Sequence, residues 1–282
     1  MNFPRNTYIE LANQEGRSSE FIEKTLSYAD NLLKEGLPVI FSLPHFGQIV
    51  GRSLDELKSI IQNRGYHYSY FLISKKKGGY RRIIAPHKNI RYLQDWIKLN
   101  ILDKIKIHPA CTGFTRNKSI LDNAKFHVNA TAILNVDLEN FFETITEKRV
   151  FGIFKFLGYH PNLAVEFAKI CTVSMPEEKF EKLDETSQKH FEEYFNSIEP
   201  VLVQGAPTSP LLSNIACLNL DNRLTKLSNK IGVVYSRYAD DITLSGELEN
   251  LPSFRLLEKI ISDENFKINW NKKAFSKKDK NK

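Results

Sequence analysis

Two apolar runs that read as β-strands end on carboxylates, and no other feature limits the fold of this chain as tightly. "TAILNVD" closes on Asp137, and "YSRYADDITLS" sets Asp240 beside Asp241 between two short strand-like runs, the pattern of a hairpin. Aspartate suits a turn because its side chain bonds nearby backbone, so an exposed turn accounts for Asp240 and Asp241 taken alone. Asp137 is harder to place. A carboxylate at the end of a buried strand is costly unless it meets a counter-charge or a solvent-filled cleft. If that strand lies beside the hairpin, three carboxylates converge, and like charges do not gather without compensation. Divalent metal is the economical answer. Mg²⁺ favours hard oxygen ligands, keeps waters and takes phosphates as further ligands. Two such ions, about 4 Å apart, activate an attacking hydroxyl and stabilise a leaving pyrophosphate.

The rest of the chain divides around these runs. Residues 1–65 read as helices and loops. "SSEFIEKTLSYADNLLKEG" has helical periodicity with a serine start and a glycine stop. In "SLDELKSIIQNRG", Ser53 and Glu56 form a capping box. "YHYSYFLISKKKGGYRRIIAP" reads as two strands joined by a Lys-Gly turn, closed by Pro86. In "NIRYLQDWIKLNILDKI", Ile90, Leu93, Ile97 and Ile101 mark one apolar helix face. The basic remainder of that helix is either a solvated face or a nucleic-acid contact. "KRVFGIFKFLGYHPNLAVEFAKICT" is helical, and the acidic stretch over 173–200 reads as a partly helical surface insertion. "VLVQGAPTSPLLSNIACLNLDNRLTKL" is a Gly-Pro turn leading into a helix, with Pro210 in its first turn. "FRLLEKIISDE" is a further helix before the lysine-rich end.

With 282 residues, 41% of them hydrophobic, the chain can bury a real core. Its net charge of +7 suits a polyanionic partner or an anionic membrane surface without choosing between them. Cys111, Cys171 and Cys217 lie far apart and have neither metal-ligand spacing nor the makings of a disulfide framework. They suit small buried hydrophobes in a reducing compartment. No signal peptide is visible, and "LPVIFSLPHFGQIVG" is too short and too interrupted to span a bilayer. The expectation is a soluble, cytoplasmic protein with no membrane contact.

Taken together, "YADDITLS", "NVDLENFF" and "QGAPTSPLLSN" resemble the palm motifs of reverse transcriptases, in the family's order, and "KKKGGYRRIIAP" resembles their fingers motifs. The resemblance covers about 66–273. It implies an α+β right-hand polymerase in which an antiparallel palm sheet is flanked by helices. The implied domains are a short N-terminal helical extension over 1–65, fingers over 66–130, a palm over 131–273 and a basic tail over 274–282. The palm carries the 173–200 insertion, and part of the fingers is interleaved with it.

The resemblance also implies roles. Asp137, Asp240 and Asp241 would be catalytic and hold two Mg²⁺, with Mn²⁺ a substitute; the Leu138 carbonyl would help hold the nucleotide-side ion. Phe142 would lie under the sugar and exclude a 2′-hydroxyl, a task Phe141 could share; either ring also reads as a core aromatic. Gln204 would contact the incoming nucleotide, with Gly205 and Pro207 allowing close backbone approach. Lys75 and Arg81 would hold the triphosphate, although Lys76 and Lys77 stand beside Lys75. Lys272 would sit near the pyrophosphate as a general acid, or be a solvated lysine of the basic end.

Asn123, Ala124 and His127 give the pattern Asn-Ala-x-x-His in "LDNAKFHV", which is similar to a motif of retron reverse transcriptases. By spacing alone, Asn123 and His127 also read as a cap and a satisfied histidine. Retron membership implies a structured non-coding RNA template, deoxynucleoside triphosphates and a branched RNA–DNA product (msDNA). It also implies an effector protein in anti-phage defence. Two departures stand out: the insertion is long, and the expected Val-Thr-Gly motif and thumb do not follow "SKKDKNK". The alternatives are an intron-like, diversity-generating or abortive-infection enzyme, or a polymerase-fold RNA-binding scaffold that restrains an effector.

Overall fold

The helical reading of the N-terminus holds at the two helix starts read from the sequence. The computed structural model describes residues 3–76, 78–196 and 199–277; Lys77 and the end of the basic tail, 278–282, lie outside them. Four helices come first: α1 (Arg5–Gln14), α2 (Ser19–Lys34), α3 (Leu43–Val50) and α4 (Leu54–Gln62). Ser18 caps α2 by accepting from the Phe21 amide, and Ser53 and Glu56 cap α4 reciprocally. Each cap satisfies otherwise orphaned amides and is worth about 1 kcal/mol. Leu32, Leu57, Ile60 and Ile61 join the main core, whereas Ala12, Ile22 and Leu26 form a small cluster of their own.

β1 (Tyr68–Ser74) and β2 (Tyr80–Pro86) form an antiparallel hairpin in which Tyr70 faces Ile84 and Ile73 faces Arg81. α5 (Lys88–Asn100) follows, and Ile90, Leu93, Ile97 and Ile101 are all fully buried, as one apolar face requires. Then come α6 (Ile120–Lys125), β3 (Ala132–Asp137), α7 (Glu147–Phe156), α8 (Pro161–Cys171), α9 (Glu177–Glu181) and α10 (Glu185–Phe195). α11 (Ser209–Ala216), α12 (Leu218–Ile231), β4 (Val234–Tyr238), β5 (Asp241–Gly246), α13 (Phe254–Asp263) and β6 (Ala274–Lys277) complete the chain. The second sheet is antiparallel in the order β4-β5-β3-β6. Leu134, Val136, Ile242 and Leu244 are buried in the main core. The architecture is α+β, with helices and two antiparallel sheets.

Three local readings need correction. The acidic insertion is helical, but it is anchored rather than simply superficial. Phe191 and Tyr194 are buried, Tyr194 donates to the Val173 carbonyl, and Phe191 meets Tyr70 edge-on. Two aromatic anchors outweigh a charged outer face. The helix after "QGAPTSP" is two helices, broken at Cys217, where Arg149 takes the carbonyl of Ala216. Residues 274–277, read as the start of a tail, form an edge strand with Phe275 opposite Leu134. Their short, lysine-flanked run has too little alternation to announce a strand. Among the described residues no helix is long and apolar enough to cross a membrane.

Candidate active site

The ladder between β3 and β5 decides where the carboxylates meet. Asp137 is directly opposite Asp241, and the Leu138 amide donates to the Asp240 carbonyl at 3.0 Å. The ladder thus continues past the end of the strand and brings all three aspartates to one sheet end. Ala239 and Asp240 form the two-residue turn, with Ala239 left-handed at φ 58°. Asp137 is 4% exposed. Burial, then its own backbone and the charge of Asp137, act on Asp240, and the net effect raises its carboxyl above the usual range. Asp241 remains exposed, yet partial desolvation of its carboxyl, followed by the charges of Asp240 and Asp137, raises it to about 6. Both shifts come first from burial, with the neighbouring carboxylates adding to it.

Asp137 has two partners from the chain's end. The Lys272 ammonium donates to both its oxygens, at 3.0 and 2.9 Å, and the Asn269 amide donates at 3.1 Å. The segment before Lys272 runs alongside Asp137: the Asn269 amide meets the Asp137 carbonyl, and the Glu139 amide meets that of Lys267. Burial pulls the Lys272 amine down, but its hydrogen bond and ion pair with Asp137 outweigh that and raise it. Among the described residues, no three carboxylate, imidazole or thiolate groups already converge as a metal cage.

Behind the turn lies a buried polar lattice that the sequence reading missed. Arg237 and Asp221 pair at 2.7 Å with both side chains fully buried. Arg237 also donates to the Ala239 carbonyl at 2.9 Å and to Asn214 at 3.1 Å, and Tyr235 donates to Asp221 at 2.6 Å. An arginine inside an otherwise uncharged strand was the available signal, since such a charge needs a buried partner. Cys111 and Thr112 run along β4 from the far side. The Arg237 amide donates to the Ala110 carbonyl, and the Thr112 amide donates to that of Arg237. Gly113 lies so close that a Cβ there would stand 2.3 Å from the Ala239 nitrogen.

The remaining predicted residues fall into three groups. Lys75 and Arg81 are exposed at the β1–β2 hairpin. Gln204 is half-buried, and its carbonyl accepts from the Ile84 amide at 2.9 Å, which ties its loop to β2. Gly205 makes a close approach to β2: at φ 129°, a Cβ would lie 2.7 Å from the Ile84 carbonyl oxygen. The neighbouring Arg82, not singled out from the sequence, bridges to Glu143, Asn140 and the carbonyl of His190 in the insertion. Phe142 is partly buried; its ring lies 5.5 Å from Phe141 and 6.1 Å from Phe114. Asn123 and His127 are buried and bonded within the protein. Thr112 donates to Asn123, while the two ring nitrogens of His127 meet Ser245 at 2.6 Å and Ser236 at 2.7 Å. Ala124 is exposed between them.

Residues 73–282 match the reverse transcriptase (RNA-dependent DNA polymerase) family. The chain is 35% identical over 245 residues to the retron Ec86 reverse transcriptase of Escherichia coli, covering 86% of this chain and 69% of that protein. It is 33% identical over 250 residues to the retron Mx65 reverse transcriptase of Myxococcus xanthus, covering 86% of this chain and 56% of that protein. The class these matches define is the RNA-directed DNA polymerases. Within it, the chain belongs to the retron reverse transcriptases.

Proposed function

We propose that this chain copies a structured RNA into DNA at the sheet end formed by Asp137, Asp240 and Asp241. The observation that carries the reading is the pairing of Asp137 with Asp241 beside the Asp240 turn. The three aspartates share one sheet end, where burial first and then neighbouring carboxylates raise Asp241, in support of this reading. Oxygen-only donors of this kind fit two divalent ions, Mg²⁺ or Mn²⁺, held by the three aspartates and the Leu138 carbonyl. Such ions, when bound, activate the attacking hydroxyl and stabilise the leaving pyrophosphate.

On this reading the four-stranded sheet is the palm, the β1–β2 hairpin belongs to the fingers, and residues 1–65 are a helical extension. Lys75 and Arg81 hold the triphosphate. Gln204 meets the incoming deoxynucleotide through a loop already tied to β2. Phe142 packs under the sugar and excludes a 2′-hydroxyl. Lys272, ion-paired to Asp137, gives a proton to the pyrophosphate. The template is a non-coding RNA, the product a branched RNA–DNA hybrid, and the setting anti-phage defence with an effector protein. Three buried free thiols suit a reducing cytoplasm. Asn123 and His127 serve by bracing the palm sheet, and RNA contact in their segment falls to exposed neighbours such as Ala124.

The test is deoxynucleotide extension of a primed RNA, with sequencing of the nucleic acid that copurifies with the chain. Mg²⁺-dependent extension lost in Asp137→Asn supports the reading. Extension undiminished by that change overturns it.

A further inference from the structure

We infer that Phe114 is a second specificity-determining residue, which sets how firmly Phe142 is held under the sugar of the incoming nucleotide. This rests on reading Phe142 as the sugar gate.

Phe114 is in the wrong conformation for its kind. Its φ is 57°, a left-handed backbone that a bulky residue rarely adopts. Such a conformation persists only where the surroundings over-determine it, and here they do. The Gly113 carbonyl accepts from the Asn214 amide at 2.9 Å and from the Thr115 hydroxyl at 3.3 Å. Gly113 itself is pressed against the Tyr238–Ala239 backbone. Asn214 is in turn bonded to Arg237, which holds the Ala239 carbonyl. Phe114 is therefore fixed to the same lattice that shapes the Asp240 turn.

Core burial does not compensate for the unusual backbone, because Phe114 remains 44% exposed. What its ring reaches is Phe142, at 6.1 Å and 36°. The other ring beside Phe142 is Phe141, which is buried and packed on Phe266. Phe142 thus has one neighbour anchored in the core and one anchored to the catalytic turn. A steric gate rejects a 2′-hydroxyl only as well as it resists displacement. With Phe114 removed, Phe142 has room to yield, and ribonucleotides gain while deoxynucleotides change little.

The experiment is single-nucleotide incorporation by the full chain on a primed RNA, comparing kcat/KM for a deoxynucleotide with that for its ribonucleotide. Phe114→Asn removes the ring and tolerates the left-handed backbone; Phe114→Gly does the same without any side chain. Both should lower the deoxy-to-ribo ratio by about three- to tenfold, the factor one lost aromatic pair supplies. Phe114→Tyr, which keeps the ring, should hold the ratio. The double variant Phe114→Asn/Phe142→Ala should fall no lower than Phe142→Ala alone. If Phe142→Ala lowers the ratio while Phe114→Asn and Phe114→Gly leave it unchanged, or reduce both nucleotides equally, the inference is overturned and the gate stands. If Phe142→Ala leaves the ratio unchanged, the gate reading fails, and the inference fails with it.

Discussion

The Lys272 ammonium and the Asp137 carboxylate form a two-pronged ion pair, at 3.0 and 2.9 Å, at the centre of the candidate site. Asp137 is almost wholly buried, whereas the Lys272 side chain remains 56% exposed. The lysine is therefore the more exposed partner, and its charge compensates a buried carboxylate.

On the two-ion reading, Lys272 would compete with a divalent cation for the Asp137 oxygens. Lys272→Met should tighten Mn²⁺ binding by about two- to fivefold, the modest factor expected of a half-exposed pair. Titration of the isolated chain followed by Mn²⁺ resonance reads this directly. Equal or weaker binding in the variant would count against the competition.

Asp240 is held against its own electrostatics, since burial and the charge of Asp137 both disfavour its ionised form. Asp240→Asn should cut extension at least a hundredfold, about 2.7 kcal/mol of lost transition-state stabilisation. The thermal midpoint should hold or rise, because a repelling charge has gone. A fall in midpoint parallel to the fall in activity would make Asp240 structural instead.

Arg237 and Asp221 are fully buried, so removing either leaves an uncompensated charge. Arg237→Met or Asp221→Leu should cost about 3–5 kcal/mol, and the double variant should recover part of it. Urea unfolding midpoints for the three variants test this; additive losses would deny the coupling.

His127 is held below its usual value by burial. In the window below about 6.5 the unfolded chain takes up a proton that the folded ring resists. Stability is therefore fully present above that pH and declines as pH falls. His127→Gln should flatten the change in urea midpoint between about pH 7.5 and pH 5.5. His45 and His67 are lowered by burial as well, so a residual slope remains. An unaltered slope would show that His127 is not a contributor.

Much of this fold was legible because local signals agreed with the tertiary outcome. Ser53 and Glu56 announce a helix start, and the Ile90, Leu93, Ile97 and Ile101 face lies where its period puts it. The pairing of the Asp137 strand with the Asp240–Asp241 hairpin, supposed from the sequence, is present. The polar lattice behind it was not legible, because Asp221, Asn214, Cys111 and Arg237 are scattered along the chain and only the fold joins them. His127 was legible as a satisfied histidine, but its partners were not, since Ser236 and Ser245 carry no signal of their own. The strain at Phe114 was hidden too; a phenylalanine after a glycine does not advertise a positive φ.

Gly113 ties residues 110–113 to the 237–239 backbone of the hairpin. The two stretches meet backbone to backbone, with no side chain between them to absorb a mismatch. A graft that brings in a foreign hairpin without its matching 110–114 segment sets two unfitted main chains against each other at the Asp240 turn. For recombination between related enzymes, the smallest exchangeable block is therefore the pair, although more than a hundred residues of sequence lie between its halves.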